Sequence, residues 1–137
     1  MGDVHVLADV ESAVVDIVTD GLALIAETAT VGVAAAPHGW EPSSPPHVQV
    51  VCDGVQGFDW PVSGSATVRL VARASSTTEA KRLASTAMGV LCAHDGRPPV
   101  AQVRPLTGPL AASDPDTRAE LAMTTCQVAV RTGLVSS

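Results

Sequence analysis

Histidine and cysteine are the residues in this sequence best suited to chemistry, and their spacing argues against a shared site. Cys92 and His94 are the closest such pair, and they fall within a segment of helical periodicity. Side chains two positions apart on a helix point in different directions, so this pair cannot readily hold one metal ion. The other cysteines, Cys52 and Cys126, are distant, and we interpret all three as small, buried apolar residues.

Motifs for catalysis are also missing from the sequence. It contains no nucleophile elbow, no zinc-protease helix motif, no phosphate-binding loop and no dinucleotide-binding glycine pattern. Asp114 and Asp116 form an acidic pair, but they flank a proline in a segment typical of a solvated turn. We therefore expect no enzyme activity, no cofactor and no metal.

Length and composition predict a single domain, 1–137, with a core of small side chains. Apolar residues make up 46% of the 137 residues, yet Trp40, Phe58 and Trp60 are the only aromatic ones. The core must come from Val, Ala, Leu and Ile, which bury less area each. Self-association would be a natural supplement to such a core.

Charge and hydropathy exclude several functional classes. The net charge of −6 argues against specific nucleic-acid binding, because no basic stripe is present. The apolar runs are too short to span a bilayer, and Asp3 and Asp9 argue against a secretory leader. We expect a protein that is made in the cytoplasm and does not enter membranes.

Two segments have the periodicity of amphipathic helices. The first, 9–27, has Asp9 as its N-cap and an apolar stripe that extends to Leu24 and Ile25. The second, 76–95, opens with a capping box from Ser76 to Glu79. Its apolar stripe consists of Ala80, Leu83, Ala84, Ala87 and Leu91.

Alternating segments and loops complete the predicted architecture. Strands are expected at 30–36, 47–53, 66–74, 100–106 and 119–132. Long loops are expected at 37–46, 54–65 and 107–118, with a frayed tail at 133–137. The pattern predicts an α+β fold with two layers: a mixed, mostly antiparallel sheet of four to five strands, with two helices packed on one face.

All three aromatic residues fall in predicted loops. Trp40 lies in the proline-rich loop, and Phe58 and Trp60 lie in the second loop. Aromatic residues are enriched at interfaces, so these side chains are candidate anchors for a partner. The sequence equally allows them to fold back over an edge of the sheet.

The solvent-side positions of three strands give a second candidate surface. Three triplets taken at every second residue read polar, apolar, polar: Gln49-Val51-Asp53, Arg69-Val71-Arg73 and Gln127-Ala129-Arg131. On adjacent strands the apolar members would form a band rimmed by charge, which could serve as a subunit contact. The alternative is an ordinary solvated sheet face.

Taken in order, these elements resemble the tail terminator, or tail completion, proteins of long-tailed bacteriophages. The resemblance covers nearly the whole chain. It rests on the amino-terminal helix, Pro46 to Val50, Val68 to Ala74, Glu79-Ala80 with Leu83-Ala84, Gly108-Pro109 with Asp114, and Cys126 to Arg131.

The resemblance implies a homo-oligomeric ring, usually a hexamer, that caps the completed tail tube and stops its polymerisation. The implied partners are other copies of the chain, the major tail tube protein and the head–tail connector or stopper protein. The ring would sit at the tail–neck junction of the virion after assembly in the host cytoplasm, with DNA passing through its lumen. A connector or stopper neck protein is the alternative, and a small cytosolic ligand-binding module or enzyme is a third, less favoured one.

Contacts in such a ring would use the candidate residues. We expect Phe58 and Trp60 to project toward the tube or a neighbour, and the 107–118 loop to reach an adjacent subunit. Arg69, Arg73 and Arg131 would pair with acidic groups across a contact. The full candidate set is Trp40, Phe58, Trp60, Arg69, Arg73, Asp114, Asp116, Arg118 and Arg131.

Overall fold

Two helices and seven strands make up the part of the chain that the computed structural model describes, which is residues 4–36, 38–94, 97–114 and 119–135. The helices are α1 (Val10–Leu24) and α2 (Thr77–Cys92). The strands are β1 (Val4–Val6), β2 (Thr30–Gly32), β3 (His47–Asp59), β4 (Ser63–Ala74), β5 (Val100–Ser113), β6 (Glu120–Arg131) and β7 (Gly133–Val135).

The main sheet has five strands in the order β2-β3-β4-β6-β5. β2 runs parallel to β3, and every other pair is antiparallel. Both helices cover the same face of this sheet, which we call the inner face. The prediction of an α+β fold with a mixed, mostly antiparallel sheet and two helices on one face is therefore confirmed.

Small side chains let the helices lie close to the inner face. The predicted stripe of α2 is buried throughout, and alternate residues of β4 and β6 face it, including Val68, Leu70 and Val128. The Thr124 hydroxyl donates a hydrogen bond of 3.5 Å to the Ala84 carbonyl, which joins β6 directly to α2. At Gly21 a Cβ atom would lie 2.0 Å from a methyl group of Val90, so only glycine allows α1 and α2 to approach this closely.

Both helices begin as predicted but end earlier. Asp9 accepts a hydrogen bond of 3.1 Å from the Ser12 amide, and the Ser76 hydroxyl accepts one of 3.2 Å from the Glu79 amide. The predicted stripe of α1 is wrong at its carboxyl end, where Leu24 is 87% exposed. The buried row follows four-residue steps instead, along Val10, Val14, Val18 and Leu22.

The predicted long loop at 107–118 is wrong over its first half, because β5 continues to Ser113 as a partner of β6. The Gly108-Pro109 pair, which suggested a loop, fits in this strand for two reasons. β5 lies at the edge of the sheet, and the pairing register shifts between Thr107 and Leu110. Residues 115–118, with Asp116 and Arg118, lie outside the described residues.

The predicted connection at 54–65 is mostly strand. β3 extends to Asp59 and β4 begins at Ser63, so the two form one long hairpin. Gly54 and Gly57 have positive φ angles and coincide with two register shifts in the pairing. The glycines therefore mark bulges within the hairpin and do not end the strand.

Two short strands also differ from expectation. The first strand of the main sheet stops at Gly32, so residues 33–36 are not part of it. The predicted frayed tail is wrong at 133–135, because β7 pairs antiparallel with β1. Together β1 and β7 form a small ribbon that joins the two ends of the chain.

His47, the first residue of β3, gives stability a specific pH dependence. Its Nε2 donates to the Ala34 carbonyl at 3.0 Å, so in the neutral ring Nδ1 accepts from the Thr30 hydroxyl at 2.7 Å. Burial lowers the pKa of His47 from its ordinary value of 6.5, although the bond to Ala34 opposes this. The unfolded chain therefore binds a proton that the folded chain resists.

We expect the free energy of unfolding to fall as the pH drops from about 7 to about 5, by at most about 1.4 kcal/mol per pH unit. In His47→Gln this dependence should flatten, because the titrating group is gone while an amide can still donate to Ala34. Urea unfolding across this pH range measures the effect. An unchanged slope in His47→Gln would contradict the assignment.

Candidate interaction surface

The end of the β3–β4 hairpin carries an exposed apolar cluster of Phe58, Trp60 and Val62, which we call the aromatic tip. These side chains are 44%, 57% and 61% exposed. The Phe58 and Trp60 rings meet edge to face, with their centroids 6.0 Å apart. Large apolar side chains grouped in this way on a surface are typical of an interaction site.

Neighbouring elements hold the aromatic tip in place. Gly64 leaves room for Phe58, since a Cβ atom at Gly64 would come within 3.1 Å of the Phe58 ring and 2.6 Å of a Val55 methyl group. The Thr132 amide donates to the Val62 carbonyl at 3.1 Å, and its hydroxyl donates to the Pro61 carbonyl. The hairpin end is therefore tied to the residue that links β6 to β7.

The β1–β7 ribbon extends the aromatic tip. The His5 ring lies edge-on to Trp60 with centroids 6.4 Å apart, and Val4 and Leu134 are 44% and 57% exposed. Sequence reasoning missed these residues because each strand of the ribbon has only three residues. Alternation over three residues is too short a signal to distinguish a strand from a tail.

Three other candidate residues meet inside the fold. Arg73 is 5% exposed and donates to the Asp114 carboxylate at 2.7 Å and to the Ala35 carbonyl at 3.3 Å. Its guanidinium lies 5.7 Å from the centre of the Trp40 ring, and the Trp40 indole N–H donates to Pro45 at 2.8 Å. This cluster fastens the proline-rich loop to β4 and to the end of β5.

The remaining candidate residues, Arg69, Arg131, Asp116 and Arg118, do not form a common cluster among the described residues. Arg69 forms a pair of 3.0 Å hydrogen bonds with Asp53 of the adjacent strand, and both side chains are about two-fifths exposed. Arg131 is exposed on β6. Asp116 and Arg118 lie outside the described residues.

The predicted apolar band on the outer face of the sheet is wrong because the strands are staggered. Val51 lies opposite Arg69, and Ala129 lies opposite Ser65, so the apolar members of the triplets do not align. A different row forms instead, in which Val71 is next to Met123 and Met123 is next to the exposed Leu110. Register between strands depends on side chains distant in sequence, which a triplet pattern does not reveal.

A groove of about 440 Å³ runs between α1 and the end of α2. Its apolar lining is Ile17, Gly21, Leu24, Ile25, Val90 and Ala93. Asp20 and Arg97, joined by an ion pair of 2.8 Å, and His94 complete the wall. The groove exists because the buried row of α1 leaves Leu24 and Ile25 outside the core.

The thiols differ in their surroundings. Cys126 is buried as predicted, Cys52 is half-buried, and the exposure of Cys92 contradicts its interpretation as a buried residue. Burial raises the pKa of Cys126 to about 12, and partial burial also raises the pKa of Cys92. Both therefore stay protonated at neutral pH, which leaves neither as a ready nucleophile.

No group of three or more His, Cys, Asp or Glu side chains in the described part of the chain is placed to hold a metal ion. Within the same residues, no helix combines the length and the apolar character needed to cross a bilayer.

Comparison with known proteins adds no relative: no protein-family model and no curated protein sequence matches this chain.

Burial distinguishes the two ion pairs of β4, and their energies should differ accordingly. Arg73→Ala removes a buried cation that contacts the Asp114 carboxylate, itself only 20% exposed, and the Trp40 ring, so we expect a loss of about 3–5 kcal/mol in the free energy of unfolding. Arg69→Ala removes an exposed pair and should cost at most about 1 kcal/mol. Denaturant unfolding of both variants tests this, and equal losses would contradict it.

Proposed function

We propose that this protein forms a ring that caps a bacteriophage tail tube, ends its polymerisation and provides the surface that joins tail to head connector. The observation that carries the proposal is the aromatic tip together with the adjoining β1–β7 ribbon. Their exposed residues, such as Trp60, Val62 and Leu134, form an apolar surface that suits contact with other protein subunits. The resemblance of the element order to tail terminator proteins supplies the class of partner.

The arrangement of apolar surfaces supports a ring. Copies in a closed ring use heterologous contacts, in which one patch of a subunit meets a different patch of the next. Among the apolar surfaces of the described part of the chain are two unlike ones, the aromatic tip and the groove lined by Leu24 and Val90. An aromatic side chain has few rotatable bonds, so docking it costs little conformational entropy.

Electron microscopy of particles from an infection that lacks this protein tests the role. Loss of a tail terminator should give overlong tails without heads, because nothing stops tube growth. Tails of normal length that fail to join heads would favour the connector or stopper role instead. Normal virions would contradict both.

The variant Phe58→Ser/Trp60→Ser tests the aromatic tip within that role. Both side chains are largely exposed, so the chain should stay folded while its assembly and its control of tail length are lost. Circular dichroism reports the fold, and complementation of the deficient infection reports the function. Leu110→Ser removes an equally exposed apolar side chain from β5 and serves as the matched control. Normal tail length with the tip variant would show that the side chains of Phe58 and Trp60 are not anchors.

A further inference from the structure

The aromatic tip and the groove between the helices have complementary properties. The tip projects as a knob, with Trp60 and Val62 both more than half exposed. The groove is a hollow whose lining includes Leu24, 87% exposed, and Ile25, 54% exposed. Each surface leaves apolar area in water that burial against the other would remove.

Their polar groups are complementary as well. The Trp60 indole N–H and the Asp59 carboxylate have no hydrogen-bond or ion-pair partner within the described part of the chain. At the rim of the groove, the ion pair of Asp20 and Arg97 is itself exposed, with 59% and 48% of the two side chains accessible, so each can take a further partner. An indole that enters the groove can therefore donate to the Asp20 carboxylate, while the neighbouring Asp59 carboxylate can accept from Arg97.

The tip cannot reach the groove of its own chain. β1, which contacts Trp60 through His5, ends at Val6, a few residues before the amino end of α1. Gly21, in the groove, lies 12 residues after Asp9, or about 18 Å along the helix axis. The hairpin is also fixed at its end by Thr132, so the knob can fill only the groove of another molecule.

We infer that the aromatic tip of one copy docks into the α1–α2 groove of a second copy, with Trp60 as the central anchor. The inference rests on the proposed ring and specifies its repeating contact. Because knob and groove are different surfaces, a pair of bound copies still presents one free knob and one free groove. Contacts of this kind propagate from subunit to subunit until the ring closes.

Two single variants, each defective on one side of the contact, provide the test. Trp60→Ser removes the knob and leaves the groove intact. Leu24→Glu places a charge in the groove and leaves the knob intact, and the exposure of Leu24 makes a folding defect unexpected. Each variant alone should self-associate at least about thirty-fold more weakly than wild type, as expected for loss of an interface anchor.

Mixing the two variants gives the decisive result in analytical ultracentrifugation. The intact knob of Leu24→Glu can fill the intact groove of Trp60→Ser, so an equal mixture should form one-to-one heterodimers. It should form nothing larger, because the remaining knob and groove of each heterodimer are both defective. The double variant Trp60→Ser/Leu24→Glu should fail to pair with itself, and Leu106→Glu, an exposed leucine on β5, should assemble normally.

Several outcomes would overturn the inference. One is a mixture that stays monomeric while wild type assembles, and another is a Leu106→Glu variant as defective as Leu24→Glu. A wild-type chain that stays monomeric at the highest attainable concentration would overturn it too, and tail length would then judge the terminator role separately. A wild-type dimer with heterodimers in the mixture would uphold the contact and contradict the ring.

Discussion

Small side chains set the distance between helices and sheet, and much of the remaining structure follows from that distance. Ala80, Ala84 and Ala87 of α2 are fully buried against β4 and β6, and Gly21 brings α1 against Val90. A layer spacing of this kind leaves little room for an aromatic ring. The aromatic residues consequently lie away from the interface between helices and sheet. Trp40 packs against an arginine, and Phe58 and Trp60 are exposed at the hairpin end. A core of alanine and valine thus accounts for an aromatic surface.

Arg73 connects several segments of the chain through one buried side chain. A buried guanidinium is costly unless its donors are satisfied, and here a carboxylate, a carbonyl and an aromatic face surround it. Through these contacts one side chain joins β4, the end of β5 and the proline-rich loop, segments that share no regular pairing with one another. Arg69, four residues away and exposed, makes a similar ion pair that connects only β3 and β4. The two arginines differ in burial, and the buried one, Arg73, connects more segments of the chain.

Prediction from sequence succeeded where a local pattern determines the outcome. The periodicity of α2 and the alternation of β4 and β6 predicted which side chains face the helices, because all three elements press one face against the core. The exception on the other face of β4 is Arg73, which was predicted on the solvent side and is buried. Prediction failed where non-local pairing decides. Gly108-Pro109 indicates a loop by itself, yet pairing with β6 keeps it in a strand. Arg73, Trp40 and Asp114 suggested contacts between molecules, but partners as many as 41 residues apart in sequence bring them together within one chain. The stagger of the strands was hidden for the same reason, and the β1–β7 ribbon was missed because each of its strands has only three residues.

The edges of the main sheet bear on how copies of the chain can associate. An open edge strand invites pairing with another strand, and such pairing is promiscuous. Here one edge is β2, with only three residues, beyond which β3 continues with two shifts in its register. The other edge is β5, which carries Pro105, Pro109 and further shifts in register. Prolines and irregular register make β5 a poor template for a further strand. Association through the backbone is thereby disfavoured at both edges, while the side-chain surfaces at the hairpin end and between the helices stay open. In the proposed ring, where copies join in one defined geometry, this division is an advantage, since side-chain knobs and grooves specify orientation in a way that free strand edges do not.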